Sequence, residues 1–373
     1  MSIATRSRPT DEPLLPRPGD RLESVSTPRP VIDEDRLAGN IARVQRYMDA
    51  QGLSFRPHIK THKIPALAHE QIAAGARGIN CQKITEAEIF ADAGIEDILI
   101  TFNIWGAEKL ARLLSLHRRI AGLKATADSA ETVAGLSGVF AGESRPLPVL
   151  VECDTGGGRC GVQSPEDAVA LAARIHAADG LAFGGLMTYP RTGGAAEVEA
   201  FFAATLAGLS ARGLDCPAIS NGGTPSLFDA HLVTSATEHR AGTYIYNDRS
   251  TVRAGHCGEE DCAMHVLATV VSRPTATRAV IDAGTKALTS DLLGFADHGL
   301  VLGYPNARIV GLSEEHGVID LGAGDGAGPA IGERLRIVPN HTCVVSNLFD
   351  HMIFHRDGIV TRVEPVAARG LVW

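Results

Sequence analysis

The stretch Phe55-Arg56-Pro57-His58-Ile59-Lys60-Thr61-His62-Lys63 concentrates groups able to do chemistry. Read with a period of two, Phe55, Pro57, Ile59 and Thr61 fall on one face and Arg56, His58, Lys60 and His62 on the other. A strand covered on both sides in a parallel sheet is nearly all apolar, so the cationic face is expected to look into a site. Pro65 then suits a first helical turn, with good helix formers on to Ala74. The segment is therefore predicted to run strand, short loop, helix, with Lys60 at the strand's C-terminal end, where parallel α/β proteins bind ligands. A lysine there, beside Arg56, His58 and His62, is suited to forming a Schiff base, because cationic neighbours lower its pKa. The alternative is a phosphate-binding or salt-bridged lysine at a loop edge.

Four further stretches bear on that site. Asp154-Thr155-Gly156-Gly157-Gly158-Arg159-Cys160-Gly161 follows an apolar strand; its glycines let the backbone approach a ligand, and Arg159 offers a planar fork to an anionic oxygen. A flexible loop with a surface arginine would have the same composition. Ser220-Asn221-Gly222-Gly223-Thr224-Pro225 combines hydroxyls, two glycines and a helix start, which together offer N–H groups to a phosphate. It lacks the P-loop lysine and the Rossmann spacing, so no nucleotide is implied, and an ordinary βα turn reads alike. Tyr189 closes an apolar strand and is placed either to hydrogen-bond a planar heterocycle or to pack at the rim. In Pro339-Asn340-His341-Thr342-Cys343, a strand would point His341 and Cys343 the same way, able to grip one divalent ion, zinc in preference to magnesium. A buried cysteine beside a satisfied histidine is the plainer reading.

These residues need elements to hold them. Strands are expected at 31–33, 55–60, 78–83, 97–102, 123–127, 147–153, 181–189 and 218–221, alternating with helices at 35–49, 65–74, 85–93, 107–116, 129–139, 164–177 and 195–211, the helix at 85 opened by a Thr85/Glu88 capping box. That beat predicts an α/β protein with a (β/α)8 TIM barrel; an open doubly wound sheet would need fewer units. Beyond about residue 250 only short β-type runs appear between Gly, Pro, Asn and Asp turns, so an all-β domain without helices should follow. The expected division is an extension at 1–26, loose or draped over the surface, a barrel at 27–250 and a β domain at 251–373.

At 373 residues, with 45% hydrophobic and 21% charged residues, the chain has the make-up of a two-domain globular enzyme. A net charge of −8 without a basic run argues against nucleic-acid binding. Neither a membrane-length apolar run nor a hydrophobic centre in residues 1–30 is present, and the seven scattered cysteines do not make a disulfide framework. The expectation is a cytoplasmic protein that acts on a small molecule. Cys257 and Cys262 lack a second pair with which to form a structural metal site.

With residues 238–244, 282–286 and 312–316, these motifs make the chain resemble the D-threonine aldolase and D-serine dehydratase family, a branch of the fold-type III pyridoxal phosphate (PLP) enzymes related to alanine racemase. The resemblance begins near residue 27. It implies that Lys60 carries PLP, that Arg159 faces the phenolic oxygen, Tyr189 the ring nitrogen and Gly222, Gly223 and Thr224 the phosphate, with Ser220 and Asn221 also among the cofactor-binding residues. It further implies that His341 and Cys343 bind zinc or manganese, that His58 or His62 assists catalysis, and that the protein is a homodimer. Some aldolases of the family carry aspartate where Cys343 stands, and the dehydratases share the cysteine. Residues 187–190, 347–350 and 366–370 look more like the aldolase branch. The implied activity is retro-aldol cleavage of a D-β-hydroxy-α-amino acid to glycine and an aldehyde. The alternatives are dehydration to a 2-oxo acid and ammonia, racemisation, and a PLP-binding protein without turnover.

Overall fold

The computed structural model describes residues 15–322 and 328–373. The backbone divides into two units, Asn40–Ile245 with Gly370–Trp373, and the residues up to Gly39 with Tyr246–Arg369. None of the described helices is long and apolar enough to cross a membrane.

Strand β1 (Arg29–Asp33) belongs to the second unit. The first unit holds β2 (Ser54–Phe55), β3 (Ile79–Cys81), β4 (Asp97–Asn103), β5 (Gly122–Ala127), β6 (Leu147–Cys153), β7 (Leu181–Thr188), β8 (Ile219–Asn221) and β9 (Glu238–His239). They form one parallel sheet in the order β2-β9-β8-β7-β6-β5-β4-β3. Its two edges meet where Arg77 N donates to Phe55 O (2.9 Å) and Asn80 N to Pro57 O (2.8 Å), so the expected barrel closes. The longer strands are nearly continuous apolar runs, as burial on both faces requires; in β6, for example, Leu147, Val149, Leu150 and Val151 are all buried. The helices between them begin at ordinary stop signals. Ser129 Oγ accepts from Thr132 N (3.2 Å), and Ser164 Oγ accepts from Asp167 N (3.1 Å) ahead of Pro165.

Sequence and structure differ at both ends of the barrel. The beat read from the sequence opens at residues 31–33, but β1 pairs antiparallel with one strand of the second unit and parallel with another. The barrel's remaining strand is instead β9, two residues long and polar, which no periodicity can reveal. The helix expected at 85–93 runs over Ile84–Asp92, because Glu86, not Glu88, caps it: Glu86 Oε2 accepts from Gln82 N (2.9 Å) and Lys83 N (3.1 Å).

The second unit is built on β10 (Met264–Thr275), β11 (Arg278–Ile281), β12 (Gly299–Val301), β13 (Arg308–Leu312), β14 (Gly317–Asp320), β15 (Arg334–Pro339), β16 (His351–Arg356) and β17 (Ile359–Pro365), together with β1. The order is β11-β14-β13-β12-β15-β10-β1-β16-β17, and β11 also pairs with β10, closing a ring of six strands. Val266, Ala268, Val270, Ile281, Ile309, Ile319 and Ile337 are buried here. A second apolar cluster joins Leu22, Val25, Val31, Leu267, Ile353 and Val360. Much of the extension expected at 1–26 lies outside the described residues, but from Leu15 on it is draped as anticipated: Gly19 N donates to Val360 O (2.8 Å) and Leu22 N to Gly358 O (2.9 Å). The all-β expectation is corrected in detail by short helices at Arg249–Arg253, Thr285–Leu288 and Thr342–Ser346, each too short to show a helical period.

Candidate active site

Lys60 sits where the strand gives out. The extended chain of β2 continues to a bridge between His58 and Asn80, and Ile59–Thr61 then forms a 3-10 turn. The period-two alternation therefore holds to His58 and lapses beyond it. Lys60 is half-buried, while Arg56 and His62 are enclosed in the wall. Each histidine clamps the backbone two residues ahead. His58 Nδ1 accepts from Lys60 N (3.4 Å), and His62 Nδ1 accepts from Ile64 N (3.1 Å). The proton of each neutral ring then lies on Nε2, donated to Gln82 Oε1 by His58 (3.1 Å) and to Gln71 Oε1 by His62 (3.2 Å). Burial keeps both uncharged: it brings His62 down to about 4, and burial together with the nearby Lys60 holds His58 well below the usual imidazole value.

Lys63, three residues on, is a second lysine in the same stretch. The structure separates them. Lys63 is buried in a left-handed conformation (φ +57°), with Nζ donating to Glu86 Oε1 (2.5 Å) and Leu371 O (3.3 Å). An ammonium paired this way is a poor nucleophile.

The glycine pair lies beside the lysine turn. At Gly222 (φ +97°) a Cβ would come within 2.0 Å of the His239 ring, and at Gly223 within 2.4 Å of the Tyr189 ring. Only glycine lets this backbone pass between the two rings, and it leaves the N–H groups at the start of the 3-10 stretch Thr224–Leu232. Thr224 Oγ1 accepts from Thr243 N (3.1 Å) and Gly242 N (3.3 Å), and its own proton remains to donate. Gly242 in turn packs on the lysine turn, where a Cβ would meet Thr61 Oγ1 at 2.7 Å and His58 O at 2.8 Å. Tyr189 carries the Arg159 guanidinium 4.7 Å above its ring centroid, and both side chains are exposed. A run of contacts thus links the two residues that flank Lys60 in its turn, His58 and Thr61, to Gly242, Thr224, Gly223, Tyr189 and Arg159.

Beneath this rim lies a buried charge network that the sequence does not announce. Arg240 donates to Ser220 Oγ (2.6 Å) and Thr188 O (2.7 Å), and Ser220 Oγ donates to Glu238 Oε1 (2.6 Å). Arg56 bonds Glu238 Oε2 and Asp97 Oδ1, each at 2.8 Å, and Lys124 Nζ reaches Asp97 Oδ1 (2.6 Å). Burial pulls Arg240 down to about 10 against the pull of Glu238 and Glu152. Ser220 is therefore engaged inside the barrel, whereas the buried Asn221 Oδ1 has no hydrogen-bond partner. The residues present fit a phosphorylated ring aldehyde: an amine, an anion cradle, and an aromatic ring carrying a guanidinium.

The His341-x-Cys343 pair lies in the second unit, and not on a strand. β15 ends at Pro339, and Asp248 Oδ2 accepts from Thr342 N (3.1 Å) and Thr342 Oγ1 (3.4 Å), turning the chain into the helix Thr342–Ser346 with His341 at its N-cap. Asn340 is tied to Asp297 O (2.7 Å) and Arg249 Nη1 (3.3 Å). The His341 ring is hydrogen-bonded to Cys343 and, through Nδ1, to Asp291 Oδ2 (2.6 Å). Burial opposes its charge, but Cys343 and Asp291 outweigh it and raise the imidazole to about 9, which marks a place that favours positive charge. Among the described residues no group of three or more His, Cys, Asp or Glu side chains could hold an ion. Two soft-to-borderline donors remain, a set that suits zinc better than a hard, oxygen-preferring ion such as manganese, with positions left for other ligands. Cys257 and Cys262 are not joined in a disulfide, and their side chains are hydrogen-bonded to one another.

Comparison with known proteins agrees with both units. Residues 32–250 match the alanine racemase N-terminal domain, and residues 263–355 a putative serine dehydratase domain. A D-threonine aldolase from Arthrobacter sp is 37% identical over 372 residues, covering 95% of each chain. The crystal structure of D-threonine aldolase from Filomicrobium marinum has a TM-score of 0.88 at 34% identity, covering 96% of this chain and all (100%) of the other. The D-threo-3-hydroxyaspartate dehydratase of Delftia sp. is 36% identical over 363 residues, 88% of this chain and 94% of its own. A structure of a D-threo-3-hydroxyaspartate dehydratase with one cysteine replaced by alanine, in the metal-free form, has a TM-score of 0.82 at 34% identity over 93% of this chain and 99% of its own. The chain belongs to the D-threonine aldolase and D-serine dehydratase branch of the alanine racemase-like, fold-type III pyridoxal phosphate enzymes.

Proposed function

We propose that the chain is a PLP- and divalent-metal-dependent lyase that splits D-β-hydroxy-α-amino acids between Cα and Cβ into glycine and an aldehyde. The observation that carries the reading is the run of contacts from the turn that bears Lys60, at His58 and Thr61, through Gly242, Thr224, Gly223 and Tyr189 to Arg159, in a chain 37% identical to a D-threonine aldolase. When bound, PLP supplies a sink for the electron pair left on Cα, and a divalent ion supplies positive charge at the substrate's β-oxygen.

The chain's own residues then have distinct tasks. Lys60 is the amine that holds the cofactor. The N–H groups of Gly222, Gly223 and Thr224 and the Thr224 hydroxyl hold its phosphate, and Asn221 lies beside them. Arg159 faces the phenolic oxygen and Tyr189 the ring nitrogen. Ser220 supports the cradle from below through Arg240. His58 and His62 have their lone pairs engaged at Nδ1, so in this reading they keep the lysine turn in shape and do not take the β-hydroxyl proton. His341 and Cys343 hold the ion, which the metal-free cysteine variant of the dehydratase relative supports.

With D-threonine and Zn²⁺ or Mn²⁺, glycine and acetaldehyde are the expected products. The second reading, dehydration, is favoured by Cys343 and by the 36% identity to a hydroxyaspartate dehydratase; 2-oxobutanoate and ammonia without acetaldehyde would put it in first place. The protein is further proposed to work in the cytoplasm as a homodimer, for which light scattering should return twice the chain's 39.3 kDa. A monomer mass would remove that assignment.

A further inference from the structure

We propose that Asp291 is a positioning residue for the divalent ion, holding the His341 ring in the one tautomer and orientation that present a lone pair toward Cys343. The inference rests on the metal assignment just made and adds to it a residue outside the His341-x-Cys343 ligand pattern. Its basis is the 2.6 Å contact between Asp291 Oδ2 and His341 Nδ1. A neutral imidazole has one N–H and one lone pair. If Nδ1 donates to a carboxylate, the lone pair must be on Nε2, the nitrogen left for the Cys343 side.

The carboxylate is itself held in place. Asp291 N donates to Thr289 Oγ1 (2.8 Å), and Thr289 is a buried residue in the left-handed region (φ +68°) directly after the helix Thr285–Leu288. Both neighbours of His341 in sequence are fixed as well, Asn340 by Asp297 and Arg249, and Thr342 by Asp248. With the backbone held on both sides, rotation about the side-chain bonds and the choice of tautomer are the freedoms left to the ring, and Asp291 removes them. An isolated pair as exposed as this one, with 26% and 36% of the two side chains accessible, would add little to folding stability. Its effect should appear in ion affinity, because a carboxylate behind a ligating histidine orients the ring and raises its basicity, with losses of about 10- to 100-fold when it is removed.

The test uses full-length protein that keeps its yellow chromophore and has been freed of metal by chelator. Cobalt(II) is titrated in against a competing chelator, and the thiolate-to-cobalt absorption is followed as a direct report of Cys343. Asp291→Ala is expected to weaken binding about 10- to 100-fold with the chromophore and melting temperature unchanged. Asp291→Asn, whose amide oxygen accepts the same N–H, should fall between it and the wild type. Affinity within threefold of wild type in both variants overturns the proposal, and the asparagine variant decides the matter if the alanine variant does not fold. A cobalt spectrum that survives His341→Ala removes the metal assignment itself. Survival of the metal assignment with no response at Asp291 removes only this inference.

Discussion

Lys60→Ala is expected to yield a colourless protein with no measurable turnover of D-threonine, a loss on the order of 10⁴-fold or more, since removing a covalent catalytic group removes nearly everything the other groups contribute. The neighbouring lysine cannot stand in. Lys63 is buried with Nζ 2.5 Å from Glu86 Oε1, and Glu86 also caps the helix Ile84–Asp92 through Gln82 N and Lys83 N. Moving Lys63 to the cofactor would leave that carboxylate buried without its counter-charge, at a cost of about 3–5 kcal/mol. The measurement is the visible spectrum of purified protein, alongside product formation. A yellow chromophore that persists in the alanine variant would sink the assignment of Lys60, and with it the functional reading.

Removing the divalent ion should separate two properties of the protein. Treatment with EDTA is expected to lower turnover on the order of 10³-fold, because Lewis-acid stabilisation of a developing alkoxide is worth several kcal/mol and each 1.4 kcal/mol is about tenfold. The yellow colour should remain, since Lys60 and the glycine cradle belong to the barrel unit and His341 and Cys343 to the β unit. Added Zn²⁺ or Mn²⁺ should restore activity. His341→Ala and Cys343→Ala should each reproduce the EDTA result and resist rescue. Full activity after chelation, with metal content confirmed at zero, would leave PLP in place and dismiss the ion.

The sequence showed the barrel because long parallel strands buried on both faces have to be apolar, as β6 and β7 are. It missed β9 because two residues, Glu238 and His239, carry no period. It also counted β1 with the barrel because a short apolar strand does not reveal which sheet will take it. At the site, the types and order of the chemical groups were legible, but their partners were not. The alternation from Phe55 to His62 placed His62 on a site face, whereas a 3-10 turn at Ile59–Thr61 rotates it into the wall. The His341-x-Cys343 spacing was read as a strand, and the carboxylate that turns it into a helix is Asp248, far away in sequence. Charges buried within the barrel unit, Arg56, Glu238 and Arg240, look in sequence like any surface residues until the fold brings them together. Asp291 has the same problem: nothing local ties an aspartate after a serine to a histidine beyond the next four strands.

The position of β1 has a bearing on how the polypeptide is made. Its Val31 pairs with His265 on one side and Ile353 on the other, so this strand leaves the ribosome before every barrel strand yet waits for partners made after them. The barrel, by contrast, has all of its strands once Ile245 has emerged, and most of its sheet contacts join consecutive strands, the kind of low-separation contact that forms soonest. Co-translational folding should therefore start in the barrel, with Val31 and Ile32 bare on the nascent chain until β10 has been made and their other side an unpaired, aggregation-prone edge until β16 follows.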